Sequence, residues 1–188
     1  MGRKDSKALK NIKAMYMAQN LDSEEVFHKT KLLLTVYRDV VWHSIRSSEA
    51  LCEDVEGIYY SYELESALTY LAEFAPDEER TRFEERISTL FETKWMIDLI
   101  DKAMYKIYEY YNNGKLYHEI LSKTYLVSFK YTESELLEIL EIERSTYYDR
   151  KKEAVLLFGV ALWGYAIPQM KGIFEGDKHL NAIPSYFK

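Results

Sequence analysis

The chain has 188 residues, with 25 Lys and Arg against 31 Asp and Glu for a formal net charge of −6, one cysteine, seven glycines and three prolines. A chain of this size buries roughly 70% of its unfolded surface and needs neither metal nor disulfide to fold; the lone Cys52 can form no intramolecular bridge, as expected of a cytoplasmic protein in a reducing compartment. The acidic balance excludes a surface coated with cations for indiscriminate nucleic-acid binding, but not a localised basic module.

The start, MGRKDSKALK, is basic and runs into no long apolar stretch, so no secretory signal is expected. The longest apolar run, VLLFGVALWGYAI, has thirteen residues against the ~18 that a bilayer span demands, so no membrane is expected either. Residues 1–21 carry Arg3, Lys4, Lys7, Lys10 and Lys13 against Asp5. Leu9, Ile12 and Met15 at three-residue spacing allow a marginal amphipathic helix, and the segment reads as a basic N-terminal arm, solvated or adding phosphate contacts.

A stronger helix is predicted from Asp22, which can cap it with Ser23, followed by Glu24 and Glu25 at its positive end. Its apolar positions are Leu33, Tyr37, Val40, Val41 and Ile45, with Ser44 among them, and it ends near Arg46. SSEALCEDVEG is an acidic connection, and Ile58–Tyr62 is a short β-prone run too isolated to imply a sheet. After Pro76-Asp77, a helix opens at Glu78 and Glu79 and carries Phe83, Ile87, Leu90, Phe91, Trp95, Met96, Leu99 and Ile100, with a break allowed near Thr89–Thr93. Met104, Ile107, Tyr108 and Tyr111 continue its stripe, and Asn112-Asn113-Gly114 closes it through the left-handed conformation. KLYHEILSKTYLVSF is the next helix. The seventeen tyrosines have no catalytic companions and read as core-edge packing.

Residues 132–158 then change character. Five glutamates and no cation lie between Glu133 and Glu143, whereas Arg144, Arg150, Lys151 and Lys152 stand against Asp149 alone in the next nine residues. Thr132 and Glu135 match a capping box. Leu136, Leu137, Ile139 and Leu140 supply the inner face of a first helix, and Ile142 an apolar plug in the turn. At 100° per residue, Tyr147, Ala154, Val155 and Phe158 of the second helix face inward. Ser145, Asp149 and Lys152 face outward, with Thr146 and Tyr148 on the flanks. Arg150 lies at the edge, within reach of phosphate, and Lys151 is nearer the buried side and must snorkel. A helix, a three- or four-residue turn and a basic helix make a helix-turn-helix unit, in which the second helix meets phosphates and base edges. An acidic helix beside a basic one can equally form a salt-bridged surface pair.

The stretch ELLEILEIERSTYYDRKKEAV resembles the helix-turn-helix of sigma-factor region 4 in Glu135, Leu136, Glu138, Leu140, Ile142, Ser145, Thr146, Arg150, Lys152 and Ala154. Bacteriophage late-gene transcriptional regulators of the ArpU and RinA type carry a similar unit near the C-terminus, and RSTYYDRKKEA followed by Trp-Gly looks like theirs. The resemblance covers Thr132 to roughly Tyr165. Leu137 departs from it where a small residue is usual, and Glu141 stands in place of the turn glycine.

The expected fold is all-α: a helical bundle with a C-terminal helix-turn-helix. It divides into the basic arm (1–21), a helical body (22–114), a sigma region 4-like DNA-binding module (115–165) and an irregular C-terminal tail (166–188). The expected DNA-reading residues are Arg144, Ser145, Thr146, Tyr148, Asp149, Arg150, Lys151 and Lys152. The resemblance implies a phage or prophage transcriptional regulator acting on double-stranded DNA, with RNA polymerase as a second partner and self-association left open. Two other readings stand beside it: a DNA-packaging recognition subunit similar to small terminases, and a purely helical protein-interaction module. His28, His43, His118 and His179 are scattered, and the chain has no phosphate loop, dinucleotide fingerprint or nucleophile elbow. Neither metal, cofactor nor enzymatic activity is expected.

Overall fold

The computed structural model describes residues 5–48, 66, 69–71, 73 and 94–172. The expected acidic connection beyond Ser48, the β-prone run, the Pro76 break, the helix start at Glu78 and the tail beyond residue 172 lie outside the described residues. Within them every regular element is helical. The elements are α1 (Lys7–Ala18), α2 (Ser23–Ser48), α3 (Lys94–Tyr108), α4 (Gly114–Leu121), α5 (Glu133–Leu140) and α6 (Arg144–Ala161). Wide π turns extend α4 through Ser122–Leu126 and α6 through Leu162–Ala166.

Local chemistry accounts for the ends. Asp22 Oδ1 accepts the backbone N–H groups of Glu24 and Glu25, both at 2.8 Å, so the predicted cap of α2 is formed. The last turn of α1 closes through Asn20 in the left-handed region (φ 52), with Leu21 N donating to Tyr16 O at 3.1 Å and Asn20 N to Met17 O at 3.2 Å. Arg38 of α2 serves the end of the π turn that extends α4: its guanidinium donates to the carbonyls of Val127 (2.7 Å), Thr124 (2.8 Å) and Lys123 (3.3 Å). A cation at a helix C-terminus satisfies carbonyls that the helix cannot.

The helix allowed in the N-terminal arm is present, with a different buried face. Residues 7–18 form a helix whose Ala8, Leu9, Ile12 and Tyr16 are buried, with Ser6 capping it by accepting from Leu9 N at 3.0 Å. The apolar stripe follows 8, 9, 12 and 16 rather than 9, 12 and 15, and its narrowness beside Lys7, Lys10 and Lys13 hid it. Tyr16 donates its hydroxyl to Leu156 O at 2.7 Å, tying α1 to α6 deep in the core.

That core is built around the C-terminal half of α6. Val155 to Ala161 and Leu162, Ala166 and Ile167 pack against Leu33, Val36 and Val41 of α2, Met96, Leu99, Ile100 and Ile107 of α3, and Tyr117 and Leu121 of α4. Trp163 donates its indole N–H to Leu71 O at 2.8 Å. Close approach requires Gly159: a Cβ there would collide with the Tyr16 hydroxyl and sit 2.7 Å from Thr30 Oγ1 and 2.9 Å from Val26 Cγ1. Gly114 is likewise a spacer, since its Cβ would meet Ile107 O at 2.5 Å. The left-handed residue in that turn is Asn113 (φ 60), one of the residues expected to take that conformation, although α3 itself ends at Tyr108 and Asn113 stands at the start of α4. The stripe of α3 also stops sooner than expected, with Tyr108 and Tyr111 exposed.

The irregular tail begins later than expected, because helical structure continues to residue 172. Proline lacks an N–H and its ring clashes with the carbonyl four residues back. The π turn at Leu162–Ala166, closed by Ile167 N bonding to Leu162 O, widens the helix just before Pro168 and lets the chain pass through it. The resulting run, Arg144–Gly172, is 29 residues and by length and hydropathy alone could cross a bilayer, which the thirteen-residue apolar run did not suggest; 78% of its most apolar window is buried by the other helices. It is the central rod of the bundle.

Candidate nucleic-acid interface

The segment from Thr132 to Lys152 is assembled from short-range rules. Thr132 Oγ1 accepts from Glu135 N at 3.3 Å, and Thr132 N donates to Glu135 Oε2 at 2.7 Å, completing the expected capping box. Those bonds, the backbone N–H of Thr132 first, hold the Glu135 carboxyl below its usual range.

Three residues, Glu141, Ile142 and Glu143, join α5 to α6. Glu141 takes the left-handed conformation (φ 52, ψ 39) that the turn glycine of the resembled pattern adopts without cost. Glu141 N bonds to Glu138 O at 3.2 Å and Ile142 N to Leu137 O at 3.3 Å. This pair of bonds is the Schellman closure, which brings the residue after the left-handed one back onto the last helical turn. Ile142 is thereby folded down beside Leu137 onto a small cluster of Ile120, Leu136, Leu140 and Tyr147, the plug position expected of it. Leu137, bulkier than the pattern's small residue, is half-buried at the edge of this cluster, where it has room. Ile139 is corrected: it is 42% exposed, because the inner face of so short a helix is filled by Leu136 and Leu140 one turn apart.

In α6, Tyr147, Ala154, Val155 and Phe158 are buried as expected. The first two turns carry the outward set. Arg144, Ser145, Tyr148 and Lys152 are exposed, and Thr146, Asp149, Arg150 and Lys151 are half-buried. The structure brings these eight residues onto one helix end but engages several of them internally. Arg144, 71% exposed, donates Nε–H to Glu133 Oε1 at 2.7 Å and stacks over the Tyr148 ring at 6.0 Å. Tyr148 donates its hydroxyl to Glu133 Oε2 at 2.6 Å, which raises that phenol's pKa. Glu133 of α5 thus holds the first turn of α6. Lys151 lies over the rings of Tyr125 and Tyr147, at 5.2 and 5.5 Å, which is the expected snorkelling given an aromatic bed. The outermost turn keeps its backbone donors open, since the N-cap residue Glu143 makes no side-chain cap. Uncapped N–H groups at a helix start favour an anion.

Arg150 points the other way from the phosphate-reaching edge position. Its Nη1 donates to Glu153 Oε2 at 2.6 Å, and its side chain is only 28% exposed. Glu153, 3% exposed, is the residue that sequence reasoning missed. Its carboxylate also accepts the hydroxyl of Tyr117 at 2.8 Å and that of Ser6. Three elements of the chain, the Ser6 cap, α4 and α6, therefore meet at one buried carboxyl group. A buried carboxylate is tolerable only with such a full set of donors. The available signal was its place: it opens the run AVLLFGVAL, one helical turn after Arg150, with buried Ala154 and Val155 next to it.

Comparison of the chain with described protein families, with curated proteins and with solved structures finds no match among them. Among the described residues no group of His, Cys, Asp and Glu is placed to hold a metal ion.

Proposed function

We propose that this chain is a sequence-specific DNA-binding transcriptional regulator that reads a duplex with the N-terminal turns of α6, in the manner of the phage late-gene regulators its Thr132–Tyr165 stretch resembles. The observation that carries the reading is the division of α6. Its C-terminal half is sunk in the core, whereas its first two turns leave the core polar, cationic and uncapped directly after a tight three-residue turn. A helix so held can enter a major groove, which admits one helix, with its first turn foremost. Ser145, Thr146, Tyr148 and Asp149 are of the types that bond bases or phosphates, and Arg144 can exchange Glu133 for a guanine edge or a phosphate. The helical body is then left to meet RNA polymerase.

A second reading, a helical protein-interaction module, draws support from the pairing of Arg144 with Glu133 and of Arg150 with Glu153, which leaves part of the basic cluster already neutralised. Selection of a random duplex pool by the full chain, followed by a mobility-shift titration at low salt, separates the two. The DNA reading expects one enriched sequence whose affinity drops when Ser145 and Tyr148 become Ala, with each lost base contact worth ~1–3 kcal/mol. Folded protein that enriches no sequence and shifts no duplex at low salt overturns it.

A further inference from the structure

Beside the outward face of α6 lies a cavity of about 290 Å³, lined by Asp5, Ser6 and Leu9 from the start of α1 and by Asp149, Arg150, Lys152 and Glu153 from α6. Its inner wall is neutralised: Arg150 is spent on Glu153, and Ser6 bonds to the same carboxylate. Its rim is not. Lys7, Lys10 and Lys152 are exposed, and Lys13 is half-exposed. Lys13 reaches Asp5 at 2.8 Å, and the Asp5 carboxyl is held below its usual range first by that hydrogen bond and further by the charges of Lys13, Lys152 and Lys10. Lys13 of α1 thus pairs with Asp5, which lines the cavity together with Lys152 of α6, from two helices far apart in the chain. The arrangement is rigid, because the Ser6–Glu153 and Tyr16–Leu156 bonds lock α1 onto α6 at either end.

We propose that this rim, Lys10 and Lys13 of α1 with Lys152 of α6, grips the phosphate backbone that borders the groove entered by the first turn of α6. The inference rests on the DNA reading above and assigns α1 a part in it. Scale supports the arrangement. At 1.5 Å per residue, Lys152 lies roughly 12 Å along the helix from Arg144, and a major groove is about 12 Å wide. When Arg144 and Ser145 are among the bases, the rim stands over a flanking strand. Asp5 acts within it as a resident anion that a phosphate displaces from Lys13. The contact carries no base readout; it fixes register and adds salt-sensitive affinity.

The test uses the full chain, the duplex that wild type enriches from a random pool, and a scrambled duplex of equal length. Lys10→Ala with Lys13→Ala is predicted to lower the slope of log K against log salt by about 2, at ~0.9 per lost phosphate contact. The loss is expected equally on both duplexes, with sequence preference retained. Asp5→Asn is predicted to tighten binding to both, since it frees Lys13. Circular dichroism and melting of each variant establish that these exposed changes leave the fold intact. If the lysine variant keeps the wild-type slope on both duplexes while Ser145→Ala with Tyr148→Ala abolishes sequence preference, α1 is no clamp and the α6 reading survives. If wild type shifts neither duplex, both fall together.

Discussion

The two halves of α6 obey different physics. From Glu153 to Ile167 the helix is surrounded by α1, α2, α3 and α4 and owes its place to apolar burial across the whole bundle. From Arg144 to Lys152 it rests, through its own Tyr147, on a small cluster with Ile120, Leu136 and Leu140, and is otherwise held by ion pairs, aromatic rings and caps. Burial is non-directional and adds up over area, whereas the polar contacts are individually worth little in water and easily exchanged. A rod anchored in this way keeps its base fixed while its tip can trade internal partners for external ones.

The largest effect that tests this contrast is alkaline unfolding of the body. Burial pushes the phenols of Tyr37 and Tyr117 up to about 12, and that of Tyr16 higher. Unfolded, each titrates near pH ~10. Above pH ~10 the unfolded chain therefore holds fewer protons than the folded one, so stability is complete below that pH and is lost as pH climbs toward the folded values. Each tyrosine contributes a slope of about 1.4 kcal/mol per pH unit, and the three together reach on the order of 4. Urea titrations from pH 9 to 12 read this directly, and a flat midpoint would show that the body does not depend on these groups staying neutral.

Next comes Phe158→Ala, which empties a fully buried site at the centre of the rod and is predicted to cost about 3–5 kcal/mol in chemical denaturation. Gly159→Ala adds a methyl where Tyr16, Thr30 and Val26 already close in, and overpacking of that kind costs about 1–3 kcal/mol. If a thermal melt instead shows Gly159→Ala to be stabilising through its better helix propensity, the three-helix crossing is looser than described. The smallest effect lies in the tip and has the opposite sign. Glu141→Gly relieves a left-handed side-chain residue and is predicted to stabilise by about 0.5–1 kcal/mol. Hydrogen exchange of α5 should slow with it, while exchange at 155–166 stays as in wild type.

What was legible in the sequence divides along the same line. The capping box, the turn, the Ile142 plug and the inward set of α6 rest on neighbours three or four positions apart, which a single chain displays. The Asp22 cap was readable for the same reason. In the basic arm Leu9 and Ile12 were legible, but four lysines outweigh the full stripe with Ala8 and Tyr16 until the surface that buries it is known. Glu153 was passed over because its donors, Ser6 and Tyr117, stand 147 and 36 residues away and no local pattern pairs them. Arg150 was placed at the edge of the wheel, within reach of phosphate, because the wheel ignores a buried carboxylate one turn on. The left-handed conformation expected of the Asn-Asn-Gly turn falls on Asn113, while the work of Gly114 is spatial, which only the approach of Ile107 reveals.

The unbroken course of α6 from the turn into the deepest core has one more consequence. Adding or removing a single residue between Lys152 and Val155 would swing the Arg144–Lys152 face by about 100° about the helix axis, turning Ser145 and Tyr148 away from any partner met by the remaining surface. Which way the tip is aimed is thus encoded by residue count, and the length of this rod is constrained as tightly as its composition.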